Sequence, residues 1–148
     1  MRPKYYKIPI DTSQLFRRAQ NKPKLYASLK QSLDEHIQLL LMTAYQELRY
    51  NHGYGTIISS LDYSTETQSG LFERSVEKSV YNSILKFEPR LKDLNVRVRY
   101  DRGGEILKSK DSVSFKVYII IQVQAIIEQL DEKYENTFKI FFSPLTET

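Results

Sequence analysis

From Val113 to Ile127 an apolar residue stands at every second position: Val113, Phe115, Val117, Ile119, Ile121, Val123, Ala125 and Ile127. A period of two places alternate side chains on opposite faces of a strand, one of them turned to a core. Such a run spans about 50 Å at roughly 3.3 Å per residue, whereas typical strands have about 5–6 residues. Either a bulge divides it, or it belongs to a hairpin that projects past the layer covering its middle. The centre, Tyr118-Ile-Ile-Ile121, is apolar at consecutive positions, which predicts cover on both faces there. A projecting edge offers unpaired N–H and C=O groups to another chain, which favours assembly by strand addition.

Two amphipathic helices are predicted to cover this sheet. Leu29, Leu33, Ile37, Leu40 and Leu41 recur at spacings of three and four from Ser28 to about Met42, opposite Lys30, Asp34, Glu35 and Gln38. The second helix runs from about Leu71 to Phe87, with Phe72, Val76, Val80, Ile84 and Phe87 on one face. Pro89 ends it, because proline lacks the backbone N–H and restricts the residue before it. Glu88-Pro89-Arg90 therefore plants opposite charges at a rigid helix exit. Between the helices, Ala44–Tyr50 reads as a short strand and Asn51–Gly55 as a tight turn. Helical turns around Ile57 and Ile58 and a polar loop over 62–70 complete the connection. After the corner, Val96, Val98 and Tyr100 alternate with Arg97, Arg99 and Asp101, then Asp101-Arg-Gly-Gly104 predicts a turn. A last strand covers about 137–142, stopped by Pro144. The expected fold is α+β: two main helices packed on a mostly antiparallel sheet with a long strand.

The 148 residues suit one domain, 28–148, preceded by an arm over 1–27. Residues 1–30 carry eight Lys/Arg against Asp11 alone, while the rest of the chain carries 14 basic against 17 acidic side chains. A basic arm on a slightly acidic body suggests a docking element, with a solvated terminus as the plainer alternative. Tyr5, Tyr6, Ile8, Ile10, Leu15 and Phe16 make it too apolar for a typical disordered tail. Tyr5, Tyr6, Arg17 and Arg18 are its candidate contact residues. No cysteine is present, which excludes disulfides, thiol nucleophiles and Cys-based zinc sites. No secretory signal or bilayer-length apolar run is visible, so a cytoplasmic protein without membrane insertion is expected.

Catalytic patterns are weak. Glu88 lacks an evident second carboxylate for glycoside hydrolysis, and Arg90 beside it favours the ionised form, which opposes a general-acid role. A structural or interface ion pair is the better reading. His36 and His52 fit no metal-ligand spacing; His36 reads as a boundary residue and His52 as a turn residue. The glycine pairs match no phosphate-binding loop. Arg97, Arg99 and Arg102 form a basic patch at the start of the sheet, but alternation puts Tyr100 on the other face. Stacked nucleic acid is therefore disfavoured against a solvated face or a protein contact.

With these segments placed, the chain resembles the baseplate wedge family named for the gene-twenty-five lysozyme-like proteins of contractile-tailed phages, whose type VI secretion members are called TssE. The landmarks are the helix ending Leu39-Leu-Leu-Met-Thr43, the Glu47-Leu-Arg-Tyr…Tyr54-Gly55 turn, and Phe87-Glu88-Pro89-Arg90-Leu91 followed by a valine-rich strand. The start, Tyr5-Tyr-Lys-Ile-Pro-Ile10, and the ending, Phe141-Phe-Ser-Pro-Leu145, resemble the Bacteroidetes-type secretion branch. The resemblance implies a non-enzymatic adaptor without cofactor or metal, cytoplasmic within a membrane-docked baseplate. It implies that Glu88, Pro89 and Arg90 face the wedge proteins TssF and TssG, and that a sheet edge meets the first ring of contractile sheath subunits. On that reading Arg90→Ala leaves melting nearly native and abolishes assembly. A phage or extracellular contractile-tail subunit is the nearest rival; a lysozyme-like hydrolase and a basic nucleic-acid-binding module are the rivals of other classes.

Overall fold

The structure, a computed structural model, describes residues 5–9, 26–60, 70–109 and 112–142. In chain order these form β1 (Tyr5–Tyr6), β2 (Tyr26–Ala27), α1 (Leu29–Met42), a short 3₁₀ turn (Ile58–Ser60), α2 (Gly70–Phe87), β3 (Leu91–Ser109), β4 (Ser112–Ile127) and β5 (Glu132–Phe142). Strands β3, β4 and β5 make an antiparallel sheet in that order, and β1 pairs with β2 in a separate two-stranded ribbon. The fold is α+β, as the residue pattern implies.

Both helices lie where their apolar stripes direct them. Ser28 caps α1, its hydroxyl accepting from the Gln31 N–H at 3.1 Å, as an N-terminal serine should. Leu33, Ile37 and Leu41 of α1 and Phe72, Val76, Val80 and Ile84 of α2 are buried against one sheet face. That face consists of Val96 and Val98 from β3, Ile119, Ile121, Val123, Ala125 and Ile127 from β4, and Tyr134 from β5. Helix α2 rides over β3, while α1 reaches β5.

The long alternating run is a single strand. Among the described residues β5 accompanies β4 from Ile127 to Val117, with Phe142 as the last partner, and residues 112–116 pair with β3. The irregularities fall on β3 instead. One lies between Lys92 and Asn95; the other sets Gly103 to Leu107 of β3 against Lys116 to Ser114 of β4. Asp101-Arg-Gly-Gly104 is thus no turn: β3 continues to Ser109. The glycine pair sits at a bulge, the other common use of glycine in a strand.

Three further expectations change. Ala44–Tyr50 is a chain of turns rather than a strand: only Ala44 makes a bridge, to Thr56. Glu47 turns the segment by taking the Ala44 N–H at 2.7 Å, and Gln46 has φ +69°, outside strand geometry. Among the described residues no second layer covers Tyr118 and Ile120, which are only half-buried. Tyr118 is sheltered by β5 side chains, with the Phe141 ring centroid at 5.4 Å and the Lys139 ammonium 3.9 Å from its own. β5 also begins earlier than expected, at Glu132. Buried Tyr134 anchors that start, donating to Asp34 at 2.6 Å. The expected polar loop over 62–70 lies, apart from Gly70, outside the described residues.

Candidate functional site

The corner is built by the end of α2. The Glu88 N–H donates to the Ile84 carbonyl at 2.8 Å, closing the last helical turn, and the Leu91 N–H returns to the Glu88 carbonyl at 3.3 Å. Pro89 occupies the second position of that turn, where its fixed φ is favourable. Arg90 then heads back over the carboxylate it follows. Its Nε lies 2.6 Å from Glu88 Oε1 and its Nη2 2.5 Å from Oε2, a bidentate fork. Arg90 Nη1 donates to Ser32 on α1 at 3.0 Å, and His36 Nδ1 lies 2.8 Å from Glu88 Oε2. One carboxylate thus joins α1, the end of α2 and Arg90, the residue that leads into β3.

This cluster is inside the protein. The Glu88 side chain is 1% exposed and that of Arg90 21%. Burial alone would push the Glu88 carboxyl up, but hydrogen bonds from Arg90 and His36, with the Arg90 charge, lower it from 4.5 to about 2. The hydrogen bond to Glu88 raises Arg90 in turn. Tyr54 stands beside the cluster, its ring 6.2 Å from His36 and 5.0 Å from Phe87. Burial first, then the Glu88 charge, raise the Tyr54 phenol. Outside, the Arg90 guanidinium lies 5.5 Å from the Tyr5 ring centroid, and Tyr5 donates to Gln129 at 3.2 Å.

The geometry corrects the picture of an exposed pair at a surface corner. Glu88, Arg90 and Tyr5 meet, but Glu88 is sealed, and Pro89 and the rim of Arg90 are what the corner presents to solvent. Tyr6 packs its ring against that of Tyr26, centroids 5.3 Å apart and tilted by 42°. Arg17 and Arg18 lie outside the described residues. Ser32 and His36 belong to the site; His36 is a boundary residue, 22% exposed, that also reaches the Glu88 carboxylate. The signal was their spacing of four on α1, which puts both on one helix face. His52 lies in a turn, as expected. A groove of 250 Å³ between α2 and β3 is lined by Arg74, Glu77, Lys78, Tyr81 and the 94–96 segment. Its one carboxylate, Glu77, accepts from the Val98 backbone at 3.4 Å.

That last bond distinguishes the two sheet edges. Glu77 takes the outward Val98 N–H, and Glu73 takes the Tyr100 N–H at 3.0 Å, so α2 closes the β3 edge with carboxylates. On β5 the antiparallel register alternates inward and outward amides. Thr137 is outward, its N–H turning to the Asn136 side chain at 2.8 Å. Lys139 and Phe141 share its parity and face out along the open edge.

Among the described residues the chain is thus a helix-covered antiparallel sheet locked by an ionic Glu-Pro-Arg corner, with α2 against the outer edge of β3 and no strand paired to the outer edge of β5. Residues 27–125 match the family model described as baseplate wedge protein gp25, and the chain belongs to that family of structural baseplate subunits. Among solved structures it is similar to one provisionally named a tail lysozyme, from Geobacter sulfurreducens, with TM-score 0.59 and 15% identity over 80% of this chain and 95% of that one. At that identity the likeness is one of fold. No curated protein matches the chain. Among the described residues no helix is long and apolar enough to cross a membrane.

Proposed function

We propose that this chain is a non-enzymatic, TssE-type adaptor of a type VI secretion baseplate, working in the cytoplasm within a membrane-docked assembly. It binds the TssF/TssG wedge scaffold through Pro89, the rim of Arg90 and the basic arm, and it accepts a strand of the first sheath ring along β5. Glu88 serves the wedge contact indirectly, by holding Arg90. The observation that carries the sheath contact is the asymmetry of the edges: Glu77 and Glu73 occupy two outward amides of β3, those of Val98 and Tyr100, whereas the Lys139 and Phe141 amides of β5 face out. The non-enzymatic reading is supported by the Glu88 carboxylate, which is held ionised by two partners and so cannot deliver a proton at neutral pH.

Lys139→Pro removes one outward donor that an added strand needs, and proline is tolerated where that N–H faces away from the sheet. The isolated variant should melt close to wild type, while baseplates carrying it fail to start sheath. A chain lacking residues 1–24 should stay folded and lose co-purification with the wedge scaffold. Normal sheath from the proline variant would overturn the strand-addition reading; normal scaffold binding by the truncated chain would remove the docking role of the arm. Release of muropeptides from peptidoglycan by the wild-type protein would restore the hydrolase.

A further inference from the structure

The sheet face turned away from the helices carries an unusual row. In register across the strands, Arg99, Ile120 and Lys139 stand side by side, and the next row is Asp101, Tyr118 and Phe141. Phe141 is 51% exposed, and Ile120 and Tyr118 are half-buried, so an apolar step of three side chains is open to solvent. Cations surround it. Arg97, Arg99, Lys133 and Lys139 are all exposed on this face, against Asp101 and Glu135. Lys92 adds nothing to the balance, because it is paired with Asp131 at 2.8 Å. Singly scattered apolar side chains on a surface are ordinary; here they are contiguous by register and rimmed by more cations than anions, which marks interaction surfaces.

We infer that this face is a second docking surface, and that its occupant is an acidic segment of a neighbouring baseplate protein presenting an apolar side chain between carboxylates. Charge complementarity selects that occupant. An isologous contact with a second copy would set Arg97 and Arg99 against cations of the same face, and like charges across an interface are strongly unfavourable. Single-stranded nucleic acid matches the charge but needs free ring faces for stacking. The Tyr118 ring is already engaged by the Lys139 ammonium and Phe141. The surface lies on the flat of the sheet and uses the side chains of Lys139 and Phe141, where the β5 edge would use their backbone amides; the inference rests on the reading that the chain is built into a baseplate.

The chain has no cysteine, so Gln122→Cys and Gln124→Cys each place a single thiol on this face, on the central strand away from either edge. Maleimide should label both in the isolated protein and should label neither in purified baseplates. Arg97→Glu with Arg99→Glu should leave the melting temperature unchanged, since both side chains are exposed, and lower incorporation into baseplates at least tenfold. Thiols that stay reactive in baseplates containing the protein would overturn this inference alone. Protection that survives charge reversal with normal incorporation would overturn the acidic occupant. Absence of the wild-type chain from baseplates would overturn this inference and the proposed function together. Tight binding of a labelled single-stranded RNA to the isolated protein, lost on the same charge reversal, would reassign the surface to nucleic acid.

Discussion

Glu88 accepts from Arg90 and His36 while almost wholly removed from water, and the stability of the corner should follow its ionisation. Its carboxyl titrates near 2 in the folded chain against an ordinary 4.5. A depressed folded pKa contributes stability that is complete above the unfolded value and is lost as pH falls toward the folded one. The shift corresponds to roughly 3 kcal/mol. Glu88→Gln should therefore melt well below wild type at pH 7, and the gap should narrow steadily between about pH 5 and 2. Thermal melts across that range check it; a gap independent of pH would mean that the carboxylate charge contributes nothing. Arg90→Ala leaves a buried carboxylate with His36 as its one remaining side-chain donor. Breaking a buried pair costs about 3–5 kcal/mol, so the variant should lose much of the fold's stability, rather than melt like wild type as an exposed pair would. Arg90→Lys should recover only part of the loss, because an ammonium cannot form the fork. Chemical denaturation of the three proteins measures both effects.

The segment from Thr43 to Ile57 shows what one-dimensional patterns convey about elements and what they miss. Helix α1, helix α2 and the core faces of β3 and β4 were legible because their apolar periods of 3.6 and two are unbroken. The connecting segment has no period, and its shape comes from polar contacts with residues distant in sequence. Tyr45 bonds to Ser79 and Ser83 at 3.1 and 3.3 Å, Ser79 takes the Ile57 N–H at 3.1 Å, and Ser83 donates to the Gly55 carbonyl. Two buried serines on α2 thus satisfy backbone groups that would otherwise be stranded. The burial of the corner was illegible for the same reason: Ser32 and His36 reach it from α1, more than fifty residues away. The open edge was equally hidden, since closure of β3 depends on where Glu73 and Glu77 of α2 land. Gly55, with φ +104°, holds the connecting segment against α1, and a Cβ there would press on the Thr43 carbonyl. Gly55→Ala should destabilise the chain by at least about 2 kcal/mol, from backbone strain and that clash together. A denaturation midpoint equal to wild type would show that the segment yields.

Among the described residues the molecule combines a sealed ionic corner, a β3 edge met by α2, a β5 edge with no paired strand and a long β3–β4 hairpin. The corner fixes how β3 leaves α2, α2 then closes the β3 edge, and the unpaired amides are left on β5. On the proposed function this edge needs no deep cleft, because ladder hydrogen bonds supply the affinity of an added strand along its length. The measurement that tests this most directly is hydrogen–deuterium exchange of peptides spanning 132–142, in the free chain and in baseplates bearing sheath. In the free chain, outward amides such as those of Lys139 and Phe141 should exchange fast and inward ones such as those of Phe138 and Ile140 slowly. In the assembly, the fast amides should become slow while those of β3 over 96–101 change little. Fast exchange persisting across 137–142 in sheath-bearing baseplates would contradict strand addition at β5.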